Sequence, residues 1–339
     1  MTALAIDEIT DVDAFTALEP EWWDLWHRCP AATPFQTPAW LLSWWNAFAP
    51  GALRVIAARA GGRLVGLAPL YGEVGALGRR LLPIGVSLSD YLDVLIDDEQ
   101  PDVADALMRR IVDFGSRWDS CEFTELAPSS AAGRLVCPSD CVETDGAVSA
   151  CPVLLLPNRV EQLRQVLPSD KFRSLRTAHN RAARRGTVEI ISGNDSNCAT
   201  TIAVLIRLHG LCWGNRGEPG VLTDPRVCGF LLSAAERLMH VAVARIYALS
   251  IAGGIAAVYF GFMHRDCAYG YLTGFDPAYG FESPGTIVIG HAIETAVREG
   301  AREFHFLRGR EGYKYDWGAV DRWNRQRVFR RADTHDKVA

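Results

Sequence analysis

Hydrophobic and polar positions along this chain alternate in two periods, and the order in which those periods change occurs twice. Apolar residues recur at helical spacing over residues 12–28 and 38–48, the second stretch introduced by Thr37-Pro38 as a cap and first-turn proline. Strand-like runs follow at 53–59, 64–71 and 80–86, with Gly61-Gly62 as a hairpin turn between the first two. A short run at 91–96, a helix over 101–118 and a strand at 122–127 complete the first half. The second half begins with a strand at 188–192 and helices through 202–212 and 225–241. Strands at 244–251, 255–264 and 268–275 then form another meander, whose first turn is Gly253-Gly254, before a helix over 284–300 and a strand at 303–307. Meander, helix and strand, twice over, predict an α+β fold with an internal duplication and two domains, 1–157 and 158–339.

Composition narrows the function classes. The chain has 339 residues, 49% hydrophobic and 22% charged, which is material for two cores and excludes wholesale disorder. A net charge of −5 argues against a protein that coats nucleic acid. Residues 1–8 lack a basic start with an apolar run, and no stretch approaches a membrane span, so a cytoplasmic location without membrane insertion is expected. The nine cysteines are an odd number without a CxxC pair, and the eight histidines show no ligand spacing, so reduced thiols and no metal are expected. The tryptophans Trp22, Trp23, Trp26, Trp40, Trp44 and Trp45 fall at core spacing on the first two helices.

Candidate chemistry concentrates near the C-terminus. Glu303-Phe304-His305-Phe306-Leu307 ends in Arg308-Gly309 and then presents Glu311, Tyr313 and Lys314 within four positions, a strand end suited to acid-base work. The preceding helix opens with Ser283-Pro284-Gly285-Thr286, a start that leaves backbone N–H groups for an anion. A third feature is residues 169–186, a helix former carrying Lys171, Arg173, Arg176, Arg181, Arg184 and Arg185 against Asp170 alone. It reads either as a solvated face or as a clamp for phosphates or a nucleic-acid end.

Several runs together resemble the CelD/BcsL-type family of GNAT acyltransferases. In the first half these are Phe35-Gln36-Thr37-Pro38-Ala39-Trp40, Gly66-Leu67-Ala68-Pro69-Leu70 and Ser89-Asp90-Tyr91-Leu92-Asp93. In the second they are Leu208-His209, Trp213-Gly214-Asn215-Arg216-Gly217, Ser283-Pro284-Gly285, and the run from Arg308 to Gly318. A more distant similarity is to the Fem aminoacyl-tRNA-dependent transferases, which also pair two GNAT-like units.

The resemblance implies two GNAT-like domains, each a mostly antiparallel sheet flanked by helices, and an acyl-CoA co-substrate, acetyl or longer. The donor thioester would lie between the strands ending at Phe275 and Leu307, its carbonyl polarised near Tyr271, Leu272 and Thr273. Ser283, Gly285, Thr286 and Lys314 would hold donor phosphates, with Arg181 and Arg184 assisting. Glu311 is the first choice of base and His209 the second, with Tyr313 as the acid for the leaving thiolate. Asp90, Tyr91, Trp213, Arg216 and Arg308 would contact the acceptor. Two sequence features bear on the donor site. Glu282 would place an unwelcome charge beside a pyrophosphate. The equivalent helix start in the first half, Asp97-Asp98-Glu99-Gln100-Pro101-Asp102, carries four carboxylates, which assigns the donor to the second half.

The expected activity is N-acyl transfer from acyl-CoA to the amine of a small polar acceptor, such as an amino sugar or amino acid, in exopolysaccharide or secondary metabolism. Two alternatives are an aminoacyl-tRNA-dependent transferase, with the basic helix gripping tRNA, and a non-catalytic subunit of an exopolysaccharide-making assembly.

Overall fold

In the computed structural model, which describes residues 4–100, 102–113, 118–214 and 220–331, the elements follow the expected order with three strands added. The chain divides into two units, Met1–Ser149 with Trp323–Ala339, and Ala150–Arg322. The last strand thus counts with the first unit, a division that no single cut near residue 157 describes.

The first unit holds β1 (Leu4–Ile9), α1 (Val12–Ala17), α2 (Glu19–Arg28), α3 (Pro38–Phe48), β2 (Ala52–Ala60), β3 (Arg63–Gly75), β4 (Gly78–Pro83), β5 (Leu95–Ile96), α4 (Val103–Asp113) and β6 (Ser120–Leu126). The helix expected over 12–28 is two helices, because Pro20 cannot donate the bond that would continue α1. The sheet runs β1-β2-β3-β4-β6, antiparallel except for the β4–β6 pair, and β5 adds to β3. Trp22, Trp26 and Trp40 are buried, and each indole N–H finds an oxygen: Gln36 O at 2.9 Å, Thr33 O at 2.8 Å and Ser89 Oγ at 2.9 Å. They are core residues whose polar atoms are satisfied. The acidic run before α4 is partly committed to ion pairs. Asp97 is buried against Arg28, and Asp98 pairs with Arg134 at 3.2 Å.

β7 (Cys141–Leu155) leads into the second unit, which continues with α5 (Leu163–Val166), α6 (Ser169–Arg185), β8 (Val188–Ser192), α7 (Cys198–Gly214), α8 (Pro225–His240), β9 (Ala244–Ile251), β10 (Gly254–His264), β11 (Cys267–Phe275), α9 (Pro284–Arg298), β12 (Glu303–His305) and α10 (Gly312–Asp316). β13 (Val320–Arg331) returns to the first unit, where it pairs antiparallel with β6.

The second unit's strands run in the order β7-β12-β11-β10-β9-β8, antiparallel except for β11 with β12. Leu175, Ala178 and Ala182 of α6 and Ile287, Val288 and Ile293 of α9 join Leu249, Ala257, Tyr259 and Phe304 in one core. The alternation of a strand sends Val258 and its cross-strand partner Gly274 to the other face, where Gly274 lies against Leu205 and His209 of α7. The β9–β10 turn is Ala252-Gly253, with φ of 52° and 82°, the left-handed pair that a two-residue hairpin requires. Gly254 therefore begins β10, where a Cβ would lie 2.2 Å from Tyr279 Oη. The paired glycines of the sequence thus serve two purposes, a turn and a close approach.

Candidate active site

β11 and β12 run side by side for only three residue pairs, Cys267 with Glu303, Ala268 with Phe304, and Tyr269 with His305. After His305 the chain turns to β7, where the amides of Phe306 and Gly309 donate to Pro152 O at 2.9 Å and Ala150 O at 3.0 Å. β11 meanwhile continues to Phe275 along β10. It also carries a bulge. Phe260 opposes Leu272 whereas Gly261 opposes Gly270, so Tyr271 is the extra residue, its ring 6.0 Å from Phe260 and 5.7 Å from Phe262. Two parallel strands that part in this way leave the outer backbone edge of residues 271–275 beyond the reach of β12.

The chain that leaves β12 makes a sharp turn. Leu307 and Gly309 have φ of 60° and 110°, and a Cβ on Gly309 would lie 2.6 Å from the Glu311 carboxylate. What holds this turn is Lys314 of α10. Its buried ammonium donates to the carbonyls of Leu307 at 3.1 Å, Arg308 at 2.7 Å and Gly309 at 3.3 Å, and pairs with Glu311 Oε2 at 2.9 Å. Three N–H donors meet four protein oxygens, so the charge expected to hold a phosphate is committed to the turn itself.

Glu311 stands at the N-cap of α10 with its side chain 55% exposed. Nearly half of Tyr313 is exposed, with its ring 6.4 Å from Phe306 in an edge-on contact. Its hydroxyl end is desolvated, and that effect, with the Glu311 charge second, raises the phenol above its usual value. Burial pushes the His209 imidazole down to about 4, so at neutral pH it is an uncharged ring on α7, whose backbone there lies against Gly274 of β11.

The start of α9 is built by Ser283, whose φ of 52° turns the chain out of the short helix at Pro277–Glu282. Pro284 has no N–H, and the amides of Thr286 and Ile287 reach Ser283 O, which leaves the Gly285 amide as the foremost donor of the first turn. Space is open there, because a Cβ on Gly285 would meet only Phe275 Cδ1, at 3.7 Å. Glu282 does not oppose an anion at this position. It is buried and paired with Arg185 at 2.9 Å.

That pairing also revises the basic helix. Arg185 donates to Ala278 O at 3.0 Å and lies over the Tyr279 ring at 4.0 Å. One turn earlier, Arg181 donates to Phe281 O at 3.1 Å and covers the Phe281 ring at 4.3 Å. Lys171 is buried over Trp317 at 4.4 Å, and Arg173 pairs with Asp170 at 3.1 Å. Two of the six cations of the expected clamp thus grip this protein's own loop, while Arg176 and Arg184 are exposed. The sequence signal for this latch is two arginines four apart on α6, matched to the Tyr-Gly-Phe-Glu run of the loop.

Of the remaining expected residues, Leu272 and Thr273 follow the bulge on β11, and Arg308 is exposed on the turn. Trp213 is in the last turn of α7, and Arg216 lies outside the described residues. Asp90 and Tyr91 belong to the first unit. Tyr91 is buried 6.2 Å from the Phe35 ring and its carbonyl accepts from Gln36 Nε2 at 2.8 Å, a core position instead of an acceptor contact. The Asp90 carbonyl accepts from Asn324 Nδ2 at 2.9 Å.

Residues 169–315 match the family model described as an acetyltransferase (GNAT) domain. The second unit carries a GNAT acetyltransferase domain. The match supports an enzyme of the GNAT acyltransferase type. No curated protein matches it. Among solved structures, FemX has a TM-score of 0.67 at 8% identity, with 98% of each chain covered. A conserved protein of unknown function from Bacteroides thetaiotaomicron has a TM-score of 0.62 at 13% identity, covering 97% of this chain and 100% of its own. The C-terminal domain of a putative lysylphosphatidylglycerol synthetase from Agrobacterium fabrum has a TM-score of 0.59 at 12% identity, covering 92% of both. At such identities the likeness is one of fold. Among the described residues, no helix is long and apolar enough to cross a membrane.

Proposed function

We propose that the GNAT domain moves an acyl group from acyl-CoA to the amine of a small polar acceptor, an amino sugar or amino acid. The observation that carries this reading is the parting of β11 from β12 beside the open start of α9. An extended thioester arm can lie along β11 beyond the point where β12 leaves it. Its pyrophosphate can then meet the Gly285 amide and the positive end of the helix dipole. The Arg185–Glu282 pair favours the reading, because it neutralises the carboxylate that immediately precedes the start of α9.

In the proposed reaction the acceptor nitrogen attacks the thioester carbon and gives up a proton to Glu311, directly or through water. The carbon–sulfur bond breaks, and the leaving thiolate takes a proton from Tyr313, whose raised phenol stays protonated at neutral pH. Arg308, exposed on the same turn, is placed to meet an acceptor carboxylate. Free-thiol release from acetyl-CoA, followed across a panel of amino sugars and amino acids, tests the activity. Glu311→Gln should lower turnover by about 100-fold, the usual range for a lost base, with the fold retained. An unchanged rate and pH profile would remove Glu311 from the mechanism.

A second reading, transfer from an aminoacyl-tRNA, is favoured by the exposed arginines of α6 and by the likeness of fold to FemX. It requires salt-sensitive tRNA binding that weakens when Arg176 and Arg184 are neutralised. The CelD/BcsL-type resemblance adds a third, non-catalytic role in exopolysaccharide assembly, which absence of both activities would favour.

A further inference from the structure

At the start of the β11–β12 pair, away from the turn that carries Glu311, lies a side-chain cluster that acyl transfer does not use. Cys267 and Glu303 are direct cross-strand partners, and His305 stands two residues beyond Glu303 on the same face. The Cys267 sulfur, a Glu303 oxygen and a His305 ring nitrogen all lie within 4.8 Å of one another. His305 is buried with its ring against Tyr269, centroids 4.8 Å apart, so its orientation is fixed by packing. Its Nε2 is 2.9 Å from Glu303 Oε2. Arg322 bonds both Glu303 oxygens at 2.8 Å, and Asp266 Oδ1 is 3.6 Å from the Cys267 sulfur.

We propose that Cys267, Glu303 and His305 form a binding site for one divalent ion of the zinc class. A thiolate, an imidazole and a carboxylate are the donors such an ion takes, and a soft sulfur donor selects against calcium and magnesium. With metal–ligand distances of about 2.0–2.3 Å, tetrahedral donors stand about 3.3–3.7 Å apart, a spacing that small side-chain rotations reach from the arrangement here. On binding, the Cys267 S–H bond breaks, its proton leaves to solvent, and a sulfur–metal bond forms. Glu303 Oε2 turns from His305 to the ion while Oε1 keeps Arg322, which becomes the outer partner that orients the carboxylate. Water fills the fourth position. The ligands come from two strands, so no sequence spacing announces them, and both strands are held in register by the sheet.

Titration of the purified full chain with Co2+ under a phosphine reductant tests this. Thiolate-to-cobalt absorption in the near ultraviolet, with visible bands of tetrahedral intensity, should saturate at one equivalent. Cys267→Ser should abolish the near-ultraviolet band, whereas Cys137→Ser and Cys212→Ser should keep it. Absence of that band in the wild-type chain, or its persistence in Cys267→Ser, overturns the proposal. Alkylation of the wild-type chain, mapped by mass spectrometry, gives a readout that needs no variant. Zn2+ should slow modification of Cys267 at least tenfold and leave Cys212 unaffected, and equal rates with and without Zn2+ overturn the site.

Discussion

Replacing Gly285 by aspartate puts a carboxylate at the start of α9 without a steric penalty, since the added Cβ meets only Phe275 Cδ1 at 3.7 Å. The helix itself gains. A negative charge in the first turn contributes about 0.3–1 kcal/mol, and relief of the glycine propensity adds a few tenths. A bound pyrophosphate, in contrast, meets a like charge. Two unit charges about 5 Å apart at an effective dielectric of about 20 repel by about 3 kcal/mol, and solvent at this half-exposed position cuts that to about 1.5–3. The expected outcome is CoA and acetyl-CoA binding weaker by about 10–100-fold, with a melting temperature equal to or above that of the wild type. Calorimetric titration and a thermal melt on the same samples read both. Gly285→Ala, which adds the Cβ without the charge, should bind like the wild type. Wild-type binding that survives Gly285→Asp would refute the phosphate site at α9. No wild-type binding at millimolar CoA would refute the acyl-CoA reading itself and direct attention to tRNA.

Lys314→Met removes the donor to three carbonyls and leaves Glu311 unpaired, and should cost about 3–5 kcal/mol of unfolding free energy by urea denaturation. A loss below about 1 kcal/mol would mean that the turn does not depend on it. Arg185→Met strands the buried Glu282 carboxylate and should destabilise by about 3–5 kcal/mol, of which Arg185→Met with Glu282→Gln recovers part. A double variant no more stable than the single would refute that account. For His209 the folded ring titrates at about 4 and the unfolded one near its ordinary value of about 6.5, so between these values the unfolded chain binds the extra proton. Its contribution is complete above about pH 6.5 and is lost as the pH falls toward 4. His209→Gln should therefore flatten the stability difference between pH 7 and pH 5 by up to about 2 kcal/mol, and an unchanged slope would exclude the effect.

The sequence made the second meander and α9 legible because their inward positions are apolar at a regular period. β13 was not legible for the opposite reason. Its inward side chains include Asn324 and Arg327, buried and donating to Asp90 O at 2.9 Å and Ala132 O at 2.7 Å, so the strand reads as a charged tail. Gly146 and Pro152 likewise disguise β7 as turns. In the site, chemistry alone grouped Glu311, Tyr313 and Lys314, but the burial of Lys314 depends on a left-handed Leu307, which no propensity foretells. The fates of Arg181 and Arg185 were hidden similarly, since a charge run does not say what faces it.

The return of β13 to the first unit has a consequence for synthesis on the ribosome. Asn324 donates to Glu125 of β6 across 199 residues of chain, and Arg327 pairs with Glu143. The second unit, continuous from Ala150 to Arg322, is translated in full before Trp323–Ala339 can join the first unit. Until then β6 presents an unfilled edge, the kind of edge that nascent chains must shield from wrong partners. Premature termination after Arg322 would spare the GNAT domain's segment and leave the earlier unit incomplete.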